Sequence, residues 1–148
     1  MLFRSFVIGI SRDASNIYLA DHDQKYYSPL NIDLRDFDGD DLLKKVNNLL
    51  KIQNSKLYGI VNNGYFGYPE KPDSINISEV HVAAEGIFGV QMRLIMNFKE
   101  ILHRGSSIIN ISSMYGLVAP NQENYTKNVE VNALLYGSMK AALIQGSR

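Results

Sequence analysis

The chain has 148 residues, of which 45% are hydrophobic and 20% charged, as is ordinary for a single soluble globular domain. Its fifteen basic and fifteen acidic residues balance, so the chain has no net positive charge that would attract nucleic acid or an anionic membrane. The absence of cysteine excludes disulfides, thiolate catalysis and cysteine-ligated zinc.

In the first half of the chain, short runs of apolar residues alternate with segments whose apolar residues follow helical spacing. Pro29 favours a sheet edge for the second run. The spacing of Leu42, Val46 and Leu50 is typical of one helix face. The predicted elements are a strand over 3–10, a short helix or loop over 14–24, a strand over 26–33, a helix from 38 to about 53, and a strand over 57–61.

The second half continues the alternation. The predicted elements are a loop over 63–72, a long helix capped by Asn76 or Ser78 and running to about 103, a strand over 107–112, a loop over 114–130 and a helix from 131 onward. Strands alternating with helices predict a parallel α/β sheet, in which ligands bind beyond the carboxyl ends of the strands. Four polar residues fall at such ends: Arg12, Asp33, Asn62 and Ser113.

The last predicted helix carries Tyr136 and Lys140 four residues apart, which places both side chains on one helix face. A nearby ammonium group favours the phenolate form of a tyrosine, whose free pKa is about 10. Such a tyrosine can exchange a proton with a substrate hydroxyl or carbonyl, and a strand-end serine can hydrogen-bond the same oxygen. An exposed Tyr and Lys on a helix is the alternative interpretation of the pair.

The order of three motifs adds to this pair. A strand ending Asn62-Asn63-Gly64 is followed by a strand ending Asn110-Ile111-Ser112-Ser113 and then by the Tyr136–Lys140 pair. This constellation resembles the short-chain dehydrogenase/reductase family. The resemblance implies that Tyr136 is the catalytic acid/base and that Lys140 tunes it and holds the nicotinamide ribose. It also implies that Ser113 is the active-site serine, with Ser112 as the alternative one residue out of register.

The same resemblance implies a cofactor site. The matching residues are Asn62, Asn63 and Gly64 beside the cofactor, Asp33 and Leu34 near the adenine, and Ser11 and Arg12 at the adenosine ribose. The next position after Gly64, a glycine in the family, is Tyr65 here. An arginine at the ribose favours NADP over NAD, because it can accommodate a 2′-phosphate. The alternatives are an exposed strand-end charge for Arg12 and ordinary turn residues for Asp33 and Asn62-Asn63-Gly64.

The chain departs from the family pattern in three ways. It has no glycine-rich first turn for the pyrophosphate, and it stops within the catalytic helix. Ala83 stands where the family has its active-site asparagine. We therefore expect one incomplete domain over 1–148: a partial doubly wound Rossmann-like parallel sheet with helices on both faces. It would lack the first strand, glycine loop and helix, as well as the C-terminal strands.

The resemblance implies an NAD(P)-dependent oxidoreductase that moves hydride between a nicotinamide and a hydroxyl or carbonyl carbon of a small molecule. The long segment from Ser113 to Tyr136 resembles reductases of surface-sugar and flagellin modification, which implies a sugar or nucleotide-sugar substrate. The alternative is a catalytically inactive remnant that binds at most a nucleotide or a protein. We expect a cytoplasmic protein without a metal, nucleic-acid or membrane partner, and homo-oligomers through the long helices.

Overall fold

The computed structural model describes residues 5–16, 24–67, 75–121, 123 and 134–148. They form two compact units, divided after Leu57. The predicted start of the first strand at Phe3 and of the last helix at Val131 fall outside the described residues, as do positions 122 and 124–130 of the predicted loop over 114–130. The single-domain organisation stays a prediction.

The first unit contains two parallel strands, β1 (Val7–Ser11) and β2 (Tyr27–Asn31), with Val7 opposite Tyr27 and Ser11 opposite Asn31. The strand predicted over 26–33 is shorter than expected, because its first residue belongs to a 3₁₀ turn at Gln24–Tyr26. The Tyr27 hydroxyl donates to the Ala14 carbonyl oxygen at 2.9 Å. This bond fixes the 3₁₀ turn Ala14–Asn16 beside the strands.

Helix α1 (Gly39–Ile52) confirms the helix predicted from 38 to about 53. The Asp38 carboxylate caps its start by accepting from the Asp41 amide at 2.9 Å, and this satisfies one of the unpaired amides of the first turn. Residues of one apolar face are buried: Leu42, Val46 and Leu50. Asn54 follows the end of the helix; its φ of 46° is left-handed and lets the Ser55 amide donate to the Leu50 carbonyl oxygen at 2.9 Å.

The second unit is built on strands β3 (Leu57–Asn62) and β4 (Leu102–Asn110), which form a two-stranded sheet. A Cβ on Gly59 would lie 3.3 Å from the Ser107 carbonyl oxygen, and the side-chain amide of Asn62 donates to Asn110 Oδ1 at 2.7 Å. Gly59 and Ser107 are as far apart in sequence as Asn62 and Asn110 are, so β3 and β4 run in the same direction. Parallel strands alternating with helices confirm the predicted α/β class.

The crossover between β3 and β4 consists of α2 (Ile77–Ala84), a π-helical turn (Glu85–Gly89) and α3 (Val90–Phe98). Asn76 caps α2 by accepting from the Glu79 amide at 3.0 Å, while Glu79 accepts from the Asn76 amide at 2.8 Å. The prediction that this helix runs to about 103, and that the next strand begins at 107, was wrong. A 3₁₀ turn ends the helical segment and Leu102 is already extended.

The early start of β4 is a tertiary effect. The His103 ring packs on Tyr58 of β3 with ring centres 5.1 Å apart, a contact that local periodicity does not contain. Helix α4 (Leu134–Gly146) follows β4 and a 3₁₀ turn at Met114–Gly116. The buried apolar residues of this unit are Ala83, Ile87, Val90, Leu94, Phe98 and Leu143. Within the described ranges, every helix is too short or too polar to cross a bilayer.

Candidate active site

The segment that follows β4 packs closely on α4. Ser112 Oγ donates to the Lys140 carbonyl oxygen at 2.8 Å. Gly116 allows the 3₁₀ turn to approach the helix backbone, because a Cβ there would lie 2.9 Å from the Ala141 nitrogen. The residues between Ser112 and Gly116, which include Ser113, are therefore held beside the helix that carries Tyr136 and Lys140.

Lys140 is a buried cation of this unit, with 3% of its surface exposed. Its ammonium donates at 2.7 Å to the carbonyl oxygen of Ile111, the residue that directly follows β4. Burial lowers the pKa of Lys140 from 10.5, because removing the charged form from water is unfavourable. The hydrogen bond and the two nearby tyrosine rings offset part of that penalty.

The two tyrosines that contact this ammonium are Tyr65, from the loop after β3, and Tyr136. The nitrogen lies 5.1 Å from the centre of the Tyr65 ring and 5.7 Å from the centre of the Tyr136 ring. The two rings are 5.6 Å apart, tilted by 55°. The structure thus brings together Tyr136 and Lys140, as their spacing predicts, and adds Tyr65.

Ser113 caps the 3₁₀ turn, and its Oγ accepts from the Tyr115 amide at 3.2 Å. A serine hydroxyl has one proton to donate besides its acceptor positions, so this bond leaves the proton for another oxygen. Ser112, the alternative, already donates its proton to Lys140. The hydrogen bonding therefore favours Ser113 over Ser112 as a donor to a substrate.

The predicted cofactor residues of this unit differ in exposure. Asn62 is buried, and its carbonyl oxygen accepts from the Ile111 amide at 2.9 Å while its side chain donates to Asn110. It therefore joins the ends of β3 and β4. Asn63 and Gly64 are exposed, and no atom of the described residues lies within 4 Å of a Cβ built on Gly64. Space for a ligand exists at these two residues rather than at Asn62.

Two residues that support this loop were missed by sequence analysis. Gln91 is buried on α3, and its amide donates to the Gly64 carbonyl oxygen at 2.8 Å. Gly86 is buried in the π-helical turn, where the Phe66 carbonyl takes the place of a side chain and the Phe66 amide donates to the Gly86 carbonyl at 3.3 Å. A glutamine within an apolar helix face was the only signal for this role.

The remaining predicted residues belong to the first unit, at the carboxyl ends of β1 and β2. Ser11 and Arg12 are exposed, and the Ser11 carbonyl oxygen accepts from the Ile32 amide at 2.9 Å. The Asp33 carboxylate is paired with the Arg35 guanidinium, with Nε–Oδ2 at 2.9 Å. The Arg35 side chain, its amide and, more weakly, the Arg12 charge lower the pKa of Asp33 to about 2. Leu34 is half-buried.

No family model and no curated protein matches this sequence. Solved structures do match it. A carbonyl reductase from Pseudomonas aeruginosa PAO1 superposes with a TM-score of 0.70 at 16% identity, over 95% of this chain. A short-chain dehydrogenase/reductase from Saccharomyces cerevisiae superposes with a TM-score of 0.67 at 18% identity, over 94% of this chain. The fold is that of the short-chain dehydrogenase/reductases.

This chain spans 61% of the Pseudomonas protein and 51% of the yeast protein. A structure of the Pseudomonas carbonyl reductase in complex with NADP matches with a TM-score of 0.69 at 16% identity, over 95% of this chain. In the short-chain dehydrogenase/reductase fold, as in other open parallel sheets, ligands bind beyond the carboxyl ends of strands. The residues that follow β3 and β4 here, Asn63 to Tyr65 and Ser113, lie at such ends.

Proposed function

We propose that the chain forms the central part of an NAD(P)-dependent oxidoreductase of the short-chain dehydrogenase/reductase family. It would transfer hydride between a nicotinamide and a hydroxyl or carbonyl carbon. One observation carries the proposal: a buried ammonium, that of Lys140, lies beside the ring of Tyr136 and is bonded to the end of β4 just before Ser113. An exposed structural pair on a helix would not need this burial.

Tyr136 is the proton donor when a carbonyl is reduced and the acceptor when a hydroxyl is oxidised. The Lys140 charge stabilises the negative charge that appears on the phenol oxygen when the proton leaves. This stabilisation is larger in a poorly solvated site than in water, and Lys140 is almost fully buried. Its bond to Ile111 keeps the charge in place throughout the proton transfer.

Ser113 holds the reacting oxygen. Its Oγ is oriented by the Tyr115 amide, so its proton is directed to a partner other than the turn itself. A donor placed before the reaction needs no reorganisation as charge develops on the carbonyl oxygen.

The nicotinamide cofactor would supply or accept the hydride. The family resemblance assigns Asn63 and Gly64 of the second unit to this cofactor and, as a separate assignment, Ser11, Arg12, Asp33 and Leu34 of the first unit. The open space at Gly64 and the exposed guanidinium of Arg12 fit such a ligand. Asn62 supports the site through the sheet, and Lys140 would hold the ribose through an N–H other than the one that donates to Ile111.

Three finer proposals accompany this one. Arg12 favours NADP over NAD, because a guanidinium pairs well with a 2′-phosphate. A sugar or nucleotide-sugar substrate is supported by the length of the segment between Ser113 and Tyr136, half of which lies outside the described residues. A cytoplasmic location is proposed as the default for a chain of this composition, and homo-oligomers through the helices are proposed from the family resemblance alone.

The test is NADPH binding and oxidation by the purified 148-residue chain with a panel of ketones and keto sugars. Tyr136→Phe should lower turnover by at least about a hundredfold, because it removes the acid/base, while NADPH binding persists. Tyr58→Phe is the matched control, since Tyr58 is an exposed tyrosine of the same unit that packs on His103. NADPH binding without turnover by the natural chain supports the inactive alternative. Equal turnover in Tyr136→Phe and Tyr58→Phe contradicts the assignment of Tyr136 as the acid/base.

A further inference from the structure

Tyr65 is a large aromatic side chain at a position where the family resemblance has a glycine. Its residue surface is 54% exposed, yet its ring contacts both members of the proposed catalytic pair. One part of the ring lies near Tyr136 and Lys140, and the rest faces solvent. An exposed aromatic ring beside a reacting phenol offers an apolar face that a ligand can contact.

The backbone on both sides of Tyr65 is clamped. The preceding Gly64 carbonyl accepts from the buried Gln91 amide at 2.8 Å. The following Phe66 amide donates to the Gly86 carbonyl at 3.3 Å, and the missing side chain of Gly86 gives Phe66 room to lie on the helix. The ring of Tyr65 is thus held at a defined place before any ligand binds, which reduces the entropy cost of using it as a contact surface.

Two exposed side chains close in sequence to the catalytic residues are apolar as well, while the exposed Ser138, two residues after Tyr136, is polar but uncharged. Met114 follows Ser113 with 66% of its surface exposed, and Leu134 precedes Tyr136 by two residues with 65% exposed. The one cation among these residues, Lys140, is buried and bonded to Ile111. Among the described residues that adjoin the catalytic pair, the surface offered to a substrate is therefore uncharged, with Tyr65, Met114 and Leu134 as its apolar part.

We propose, resting on the proposed function above, that Tyr65 is a specificity-determining residue on which the ring of a ring-bearing carbonyl substrate lies. The ligand chemistry is an uncharged ring with an apolar face, next to the carbonyl that faces Tyr136 and Ser113. An aromatic ring and the apolar face of a sugar ring both have this chemistry, and the experiment distinguishes them.

The experiment measures dissociation constants by NMR titration of the full chain with three probes: acetophenone, acetone and methyl β-glucopyranoside. Tyr65→Leu keeps an apolar side chain but removes the aromatic face, and Tyr65→Phe keeps that face. We expect Tyr65→Leu to weaken binding of a ring-bearing probe about threefold to tenfold and to leave acetone unchanged. Tyr65→Phe should stay within about twofold of the natural chain.

Tyr58→Leu is the matched control, because Tyr58 is 59% exposed in the same unit but packs on His103. It should change none of the three constants. Dependence on Tyr65 for acetophenone assigns the ring as aromatic, and dependence for the glucoside assigns it as a sugar. Failure of both ring probes to bind, equal effects of Tyr65→Leu and Tyr58→Leu, or an equal loss for acetone would overturn the proposal.

The binding test does not need turnover, so it is separate from the test of the proposed function. Loss of turnover in Tyr136→Phe together with ring binding that ignores Tyr65 rejects this inference and leaves the oxidoreductase standing. Ring binding that depends on Tyr65 in a chain without turnover supports the contact between Tyr65 and a ring and rejects the oxidoreductase.

Discussion

The Lys140 ammonium lies 5.7 Å from the centre of the Tyr136 ring, one helical turn away on α4, with almost no exposure to solvent. The same nitrogen joins α4 to the end of β4 through Ile111. One side chain therefore contributes both a contact between two elements and a charge beside the phenol. These two contributions respond differently to substitution and to pH.

Lys140→Met keeps the length of the side chain and removes its charge. We expect the free energy of unfolding near neutral pH to change by less than about 2 kcal/mol, because the lost bond to Ile111 is offset by the relief of burying a cation. Turnover, by contrast, should fall with the loss of the charge beside Tyr136. Urea unfolding at neutral pH and NADPH oxidation measure the two effects.

The pH dependence of the same variant gives a second outcome. Burial lowers the folded-state pKa of Lys140 below 10.5, so as the pH approaches 10.5 the unfolded chain binds more protons than the folded chain. The stability of the natural chain relative to Lys140→Met should therefore rise with pH in this range and level off above it. A difference that is flat or falls between neutral pH and 10.5 contradicts the burial of a charged Lys140.

Gly116→Ala should separate the turn that carries Ser113 from α4. The new Cβ would lie 2.9 Å from the Ala141 nitrogen and the Lys140 carbonyl carbon, which are backbone atoms that cannot rotate away. We expect a loss of about 1–3 kcal/mol in the free energy of unfolding, as in other overpacked sites. Gly67→Ala is the control, because its Cβ would meet Ile87 at an ordinary 3.9 Å. Equal urea unfolding midpoints for Gly116→Ala and Gly67→Ala would contradict the close contact between Gly116 and the backbone of α4.

Arg35→Ala should raise the pKa of Asp33 from about 2 towards 3.8, because the Arg35 side chain is the main cause of the shift. A lowered carboxyl pKa contributes stability that is present above pH 3.8 and lost as the pH falls towards about 2. NMR titration of the Asp33 carboxyl carbon measures the shift. Arg12→Ala removes the weakest of the lowering causes and should move the pKa far less; equal shifts would reject this ranking.

The parts of the fold that sequence predicted well are those decided locally. The Asp38 cap and the spacing of Leu42, Val46 and Leu50 define α1 within one stretch of chain, and the structure confirms both. The Tyr136–Lys140 spacing likewise needs only helix geometry to place both residues at one cation–ring contact. Their catalytic roles stay predictions.

The parts that sequence did not predict depend on contacts between distant segments. The start of β4 follows the packing of His103 on Tyr58, and the clamp on Tyr65 needs Gln91 and Gly86 from the crossover helices. Helical periodicity alone predicted that α3 continues into the residues of β4, because the contacts that β4 makes with distant residues are not encoded in the local pattern. The burial of Lys140 could not be predicted from the sequence either, since a lysine in a helix is usually exposed.

The π-helical turn at Glu85–Gly89 also affects how this chain can be compared with other proteins. The Val90 amide bonds to the Glu85 carbonyl, five residues back, so the turn holds one residue more than an α-helix of the same kind. Each residue of an α-helix advances by about 100° around the axis. An alignment with a regular α-helix that counts positions straight through this turn will be out of phase by one residue after it, and side chains matched that way will point about 100° apart.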